Sequence, residues 1–272
     1  MKTYVIASAL VLPLALLPNC KKDDDAMTLA EAKQALDESQ LSSEAMNLTS
    51  SSVDISTHFT IGQAVEAAAD ELRTFIESQL PCAEIQVSKG ELDVTYGARE
   101  GNCTYRGHTY TGNHHMSVVR NDEGNVEVDH TWTDLSNGKV EVTGGAQVTW
   151  NFADGERRVR HELTWTRISD GKQGTGSGDR TQSVLEGGLF EGIQVDGSRE
   201  WKSDGGQWDL AIDGVQMRWV DAVPQAGQYV LRTPKGKSAK LAFERVDSTK
   251  IQVTVSSGDK SFDFNVITLP QE

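Results

Sequence analysis

The stretch Val126-Glu127-Val128-Asp129-His130-Thr131-Trp132-Thr133 decides the fold. Its apolar and aromatic residues occupy every second position, with charged residues and threonines between them. Successive side chains of a strand point to opposite faces, so a period of two describes a strand with one face buried and one in water. The pattern returns at Ala146, Val148, Trp150 and Phe152, and again at Val159, His161, Leu163 and Trp165. Between such runs stand Glu123-Gly124, Asn137-Gly138, Asp154-Gly155, Asp170-Gly171, Asp204-Gly205, Asp213-Gly214 and Ser257-Gly258. Asn-Gly and Asp-Gly suit two-residue hairpin loops, whose central residues take positive φ. From about Ile85 onward no helix-length pattern interrupts the series. Parallel strands need such crossovers, so the pairing is expected to be antiparallel throughout. The expected fold is mainly β, an antiparallel meander of about ten to twelve strands curled into a barrel or half-barrel, because open twisted sheets seldom grow larger without closing or splitting.

One amphipathic helix is expected ahead of this meander. Thr60 and Gln63 form a capping-box pattern, and Ile61, Val65, Ala68, Leu72, Phe75, Ile76 and Leu80 recur at helical spacing. Pro81 ends the run, since proline cannot continue the hydrogen-bond ladder. Upstream, residues 20–57 read as a polar tether. Asp23-Asp24-Asp25 and Ser50-Ser51-Ser52 flank a segment with a capping box at Thr28 and Glu31, followed by Ala30, Ala32, Ala35 and Leu36. Its apolar face is narrow, which predicts a marginal helix or disorder. The folded domain is therefore expected over 58–272. Within it, the segment from Trp208 to Trp219 reads as a hairpin turning at Asp213-Gly214.

The first residues carry an address. Lys2 is followed by an apolar run from Tyr4 to Leu17, too short for a stable bilayer-spanning helix, which needs about 20 apolar residues. Residues 1–19 thus read as a secretory signal. Leu17 stands three places before Cys20, and the arrangement resembles a bacterial lipobox. That resemblance implies that Cys20 is the first mature residue and carries acyl chains. Lys21-Lys22-Asp23-Asp24-Asp25 is similar to the surface-export signals of some Gram-negative lipoproteins, although a solvated spacer reads equally well. Farther on, Val223-Pro224-Gln225-Ala226-Gly227-Gln228-Tyr229 resembles the Pro-x-x-Gly-x-Tyr meanders at the ends of β-rich envelope lipoproteins of Gram-negative bacteria. Together these resemblances imply a lipid-anchored protein of the outer membrane, facing the periplasm or the cell surface. A transmembrane barrel shares the alternating pattern but is disfavoured here, because the chain ends in Leu269-Pro270-Gln271-Glu272 without a terminal aromatic residue.

Charge and cysteine usage agree with export. The net charge is −14, and removing Lys2 with the leader leaves −14 − 1 = −15. So acidic a chain repels phosphate backbones, so nucleic acid is not an expected partner. It should likewise stay off anionic membranes except through its lipid. Removing 19 of 272 residues leaves 253, room for one large domain or two small ones. If Cys20 is acylated, Cys82 and Cys103 remain as a pair. In an oxidising compartment a disulfide between them is expected, two separate buried thiols being the alternative.

Motifs that carry chemistry are scarce. His108, His114 and His115 cluster, but His114 and His115 point to opposite faces of a strand and cannot share one ion without a bulge. His130 and His161 lie on apolar faces, where a hydrogen-bonded core role is expected. Gly174-Thr175-Gly176-Ser177-Gly178-Asp179 has the glycines of a phosphate loop but no following helix or Lys-Ser/Thr, and reads as a loop or a Gly-rich strand. No metal, cofactor or enzymatic activity is expected. Trp132, Trp150 and Trp165 each follow a threonine near a strand end. They read as core, or alternatively as an aromatic platform for a sugar or amphiphile. The leading functional expectation is a non-enzymatic envelope lipoprotein that binds or presents an unknown protein or small amphipathic ligand. The alternatives are a carrier holding an acyl chain in a half-barrel, and a cryptic hydrolase.

Overall fold

The computed structural model describes residues 26–57, 65–105, 107–120, 125–151, 154–188, 191–218 and 220–268. Cys20, the leader, the capping box at Thr60 and the Glu123-Gly124 turn lie outside the described residues. Two helices lead: α1 (Leu29–Thr57) and α2 (Val65–Gln79). Fifteen strands follow: β1 (Glu84–Ser88), β2 (Glu91–Tyr96), β3 (Thr104–Tyr105), β4 (His108–Thr109), β5 (Thr111–Arg120), β6 (Val126–Ser136), β7 (Val140–Asn151), β8 (Glu156–Arg167), β9 (Gln173–Val184), β10 (Ile193–Ser203), β11 (Gly206–Met217), β12 (Ala226–Arg232), β13 (Ser238–Asp247), β14 (Lys250–Ser257) and β15 (Lys260–Ile267). All but β3 and β4, which pair with each other, join one antiparallel sheet in chain order, thirteen strands across.

The expectation of a barrel is corrected: the sheet is not closed or curled into one. Strands β1 and β15 stand at opposite ends of the strand order. The reason lies in what covers the apolar face. A barrel buries its inner face against its own far wall, whereas here a helix does that work, so nothing draws the two edges together. The helix is α1, and the expectation that residues 20–57 form a loose tether is corrected for Leu29–Thr57. At ~1.5 Å per residue α1 is ~43 Å long. Strands spaced ~4.8 Å apart need ~38 Å to run from β6 to β14. The helix is therefore long enough to cross the strands from β6 to β14. Its start sits at β14, where the Met27 amide donates to Ser257 Oγ at 3.0 Å. Its far part reaches β6, where Trp132 Nε1 donates to Ser52 Oγ at 2.9 Å.

The buried residues of α1 are Ala35, Glu38, Leu41, Ser42, Ala45, Leu48, Thr49, Ser52 and Val53. They follow helical spacing faithfully, but most are small or polar. The bulk comes from the sheet, whose inner face presents Trp132, Trp165, Trp201 and Trp208, all buried. Polar positions of α1 meet partners there. Glu38, 2% exposed, accepts from Lys172 Nζ at 2.7 Å and from Ser203 Oγ at 2.7 Å. Asp37 accepts from Arg167 and Lys172, both at 2.9 Å. Those contacts hold its carboxyl below the usual range, Arg167 contributing most.

Helix α2 buries Ala69, Leu72 and Ile76, with Leu80 just past its end, against the other end of the sheet. Just past it, Cys82 is joined to Cys103, with α-carbons 5.3 Å apart. The Gly174–Asp179 segment lies within β9. Its register explains the glycines. His161 stands opposite Gly178, Leu163 opposite Gly176 and Trp165 opposite Gly174. A Cβ on Gly178 would meet His161 Cε1 at 2.3 Å, so the ring lies where a side chain would otherwise be. The hairpin expected at Asp213-Gly214 is also corrected. Both residues belong to the single strand β11, and the register against β12 shifts between Asp213 and Gln216. The dipeptide marks a bulge there instead of a turn.

Candidate functional site

Among the described residues nothing covers the face of the sheet opposite α1, and that face is hollowed. A trough of about 960 Å³ runs across β6 to β12. A smaller hollow of about 530 Å³ adjoins it, sharing Gly144, Glu162, Ser177 and Glu200. Antiparallel register builds the lining. One ladder reads Thr131, Gly145, Glu162, Ser177, Glu200, Asp209 and Arg232, each opposite the next. The neighbouring ladder reads Asp129, Gln147, Arg160, Asp179, Ser198, Ala211 and Val230. Short residues in mid-ladder leave the space. At Gly145 the backbone demands it, because a Cβ would stand 2.8 Å from the His130 carbonyl oxygen.

Five carboxylates (Asp129, Glu162, Asp179, Glu200 and Asp209) line this trough with three arginines, Arg160, Arg199 and Arg232. Asp179 is held tightly. Arg158 donates Nε at 2.8 Å and Nη2 at 2.5 Å to its two oxygens, and Arg160 adds a contact at 3.4 Å. The Arg158 guanidinium keeps the Asp179 carboxyl below its ordinary range. Glu200 is engaged more loosely, by Ser177 Oγ at 3.3 Å and Gln207 Nε2 at 3.4 Å. It stands directly opposite Asp209. Like charges placed so destabilise a sheet, and Arg232, opposite Asp209 on its other side, offsets part of that cost. The site is acidic, open and polar. It offers hydrogen-bond acceptors and negative charge to a ligand that lies along it.

The inner face holds a different group of polar residues. Tyr96 Oη lies 3.1 Å from His114 Nδ1, and His114 Nε2 lies 2.9 Å from His130 Nδ1. The chain is hydrogen-bonded with both imidazoles neutral, whichever way its protons point. Trp132 lies nearly parallel to His130, their centroids 5.7 Å apart. Burial pushes His114 well below its usual pKa and His130 down to about 3. It pushes His161 down to about 4, with Arg180 and Arg199 adding to the effect. Arg199 is itself lowered to about 10 by burial and the neighbouring Arg180. Its Nη2 donates to Ser43 on α1 at 2.9 Å. His130, His161 and Arg199 lie along the floor of the trough, but the three histidines are buried and do not reach solvent as an acid or base would need.

The residues singled out from sequence fall as follows. Trp132 and Trp165 are buried beneath α1. Trp150 is half-buried near the opposite end of its strand, with the Arg157 guanidinium 5.1 Å from its ring centroid. All three lie on the inner face of the sheet, Trp132 and Trp165 within the core and Trp150 packed against it. His114 is buried while its neighbour His115 faces outward, 2.7 Å from Asp93. Among the described residues no group of three histidine, cysteine, aspartate or glutamate side chains converges on one point. The trough itself escaped sequence reading. Its residues are the polar half of each alternating strand, and only the register turns them into one lining.

No protein family model, characterised protein or solved structure matches this chain.

Proposed function

We propose that this protein is a lipid-anchored envelope lipoprotein of binding type, held at the outer membrane of a Gram-negative bacterium through acylated Cys20. In this reading the trough is the surface that takes the partner, which is a hydrophilic, extended and cationic segment of another envelope protein. One observation carries it. The apolar face is packed by α1, while the opposite face carries an acid-lined hollow in which Glu200 and Asp209 stand opposed, with Arg232 across from Asp209 on its other side. Acid rows attract basic partners and speed their encounter. The carrier reading loses support from the same arrangement, because the trough is open and its apolar patches at Leu210, Ala211 and Val230 are crossed by rows of charged side chains.

The test is site-specific photo-cross-linking in the cell that makes the protein. A photoreactive residue at Ser177 or Ser198 should capture a discrete protein, and Glu200→Lys with Asp209→Lys should abolish the capture. A control at Leu36, on the exposed face of α1, should capture nothing. Equal yields at Ser177 and Leu36, or capture indifferent to charge reversal, would overturn the reading.

A further inference from the structure

The net charge of the chain hides a local reversal. Residues 233–240 and 257–262 lie at neighbouring hairpin turns, β12 to β13 and β14 to β15. They contain Lys235, Lys237, Lys240 and Lys260 against one acidic residue, Asp259. Lys237 is paired with Glu31 at 2.8 Å, and Lys235 Nζ lies 3.7 Å from the same carboxylate. Lys235, Lys240 and Lys260 are exposed. Beside them is an unburied aromatic residue. Phe262 is 51% exposed and stacks at 6.0 Å on Phe264, on the edge strand β15.

The chain enters the fold at this same place. Lys237 Nζ donates to the Ala26 carbonyl at 2.9 Å, and the Met27 amide donates to Ser257. Ser257 Oγ in turn donates to the Ser238 carbonyl at 2.7 Å. Phe262 is paired with Val255, which places it diagonally across from Ser257, about 7–8 Å away between α-carbons. Five residues separate Cys20 from Ala26, and six steps of a fully extended chain at ~3.6 Å each put the two no more than ~22 Å apart.

From this geometry we infer that the β12–β15 end of the sheet is a lipid-facing surface. Lys235, Lys240 and Lys260 meet anionic headgroups there, and Phe262 sits at the interface beside the acyl anchor. The inference rests on acylation at Cys20. An anchor on so short a leash brings this end, and no other, against the bilayer. The surface it finds there is the one where lysines outnumber carboxylates and an aromatic side chain is exposed. Exposed aromatics and lysines beside an acyl chain are the combination that gives stable interfacial binding. The trough, on the sheet's outer face, is then carried on a body with a fixed tilt instead of one swinging freely on its lipid.

The test uses the full chain purified from its own membrane and placed in vesicles of phosphatidylcholine and phosphatidylglycerol. Intact mass is read first, and acylation at Cys20 must be present. A non-acylated mature chain overturns the anchor reading and this inference with it. Nitroxide labels are then placed at Phe262→Cys and, as a control, at Leu36→Cys. The inference expects the label at 262 to shift toward oxygen-accessible, nickel-excluded behaviour, while the label at 36 stays aqueous. The difference should shrink when Lys235, Lys240 and Lys260 are changed to Glu, or when phosphatidylglycerol is omitted. An acylated protein whose label at 262 remains aqueous overturns the inference and leaves the anchor intact. A label at 262 shielded from both agents and broadened by a second nitroxide assigns the β15 edge to pairing between copies, and also overturns it.

Discussion

Acid should unfold this protein earlier than its carboxylates require, and His130 is the cleanest place to show it. His130 is 2% exposed and its folded pKa is pushed down to about 3. In the unfolded chain it returns to ~6.5. Between those values the unfolded state binds a proton that the folded state refuses. A depressed histidine therefore contributes its full stability above pH ~6.5 and loses it as pH falls, at ~1.4 kcal/mol per unit. From pH ~6.5 to ~4.5 that is ~2.7 kcal/mol from His130 alone. His114, bonded to it and also pushed well down, adds a slope of its own. Against a typical 5–15 kcal/mol of stability, the loss is large. His130→Gln keeps a hydrogen-bonding side chain but does not titrate. It should cost about 1–2 kcal/mol at neutral pH through poorer packing against Trp132, yet flatten the pH slope by ~1.4 kcal/mol per unit. Urea unfolding of both proteins at about pH 7.5 and about pH 4.5, disulfide intact, measures this. The depressed carboxyls of Asp37 and Asp179 lose their contribution only as pH falls through ~4 and below, and they do so equally in both proteins. If wild type and His130→Gln lose the same stability between the two pH values, the reasoning fails.

Three further outcomes follow from the packing. Gly178→Ala should destabilise by about 1–3 kcal/mol through collision with the His161 ring, and His161→Ala in the same chain should recover much of that, as chemical denaturation would show. Glu38→Gln should lower stability by about 1–3 kcal/mol, less than a fully buried pair because Lys172 keeps Asp37; an unchanged midpoint would mean that α1 is not clamped there. Trp132→Ala and Trp165→Ala should each cost ~3–5 kcal/mol, with half-buried Trp150→Ala nearer 1 kcal/mol, and equal losses at all three would contradict their different burial.

The β region was legible because alternation and Asx-Gly turns report the same thing by different physics. Side-chain period gives the faces, and turn chemistry gives the punctuation. Asp213-Gly214 shows where this stops: the dipeptide supplies a conformation, and whether that conformation reverses the chain or only bulges it depends on the neighbouring strand. Helix α1 was misread for a compositional reason. Its buried stripe has impeccable helical spacing, but Ala35, Ser42, Ala45, Thr49 and Ser52 carry little hydrophobicity. Small residues are what the helix needs to lie against Trp132, Trp165, Trp201 and Trp208, and that need exists only once the sheet is built. Closure was misjudged for the same reason, since a helical cover removes the motive for a barrel. The trough could not be read at all. Glu200 and Asp209 are nine positions apart, and only the β10–β11 register sets them face to face.

The position of α1 also constrains where any ligand can act. To open the inner face for an acyl chain, the helix would have to lift away. That would return Leu41, Leu48 and Val53 to water, at about 1.5–3 kcal/mol each, or ~5–9 kcal/mol together. It would also break Glu38 from Lys172 and uncover four tryptophans that the helix now covers. The sum reaches or exceeds the whole stability of an ordinary domain. A ligand would have to supply that energy before gaining anything from its own binding. The uncovered face asks for no such rearrangement. Its carboxylates are already set out at strand spacing, its floor is already bare at Gly145, and the opposed pair Glu200 and Asp209 is relieved by an incoming positive charge. The proposed recognition therefore belongs to the outer face, which α1 leaves free while it fills the inner one.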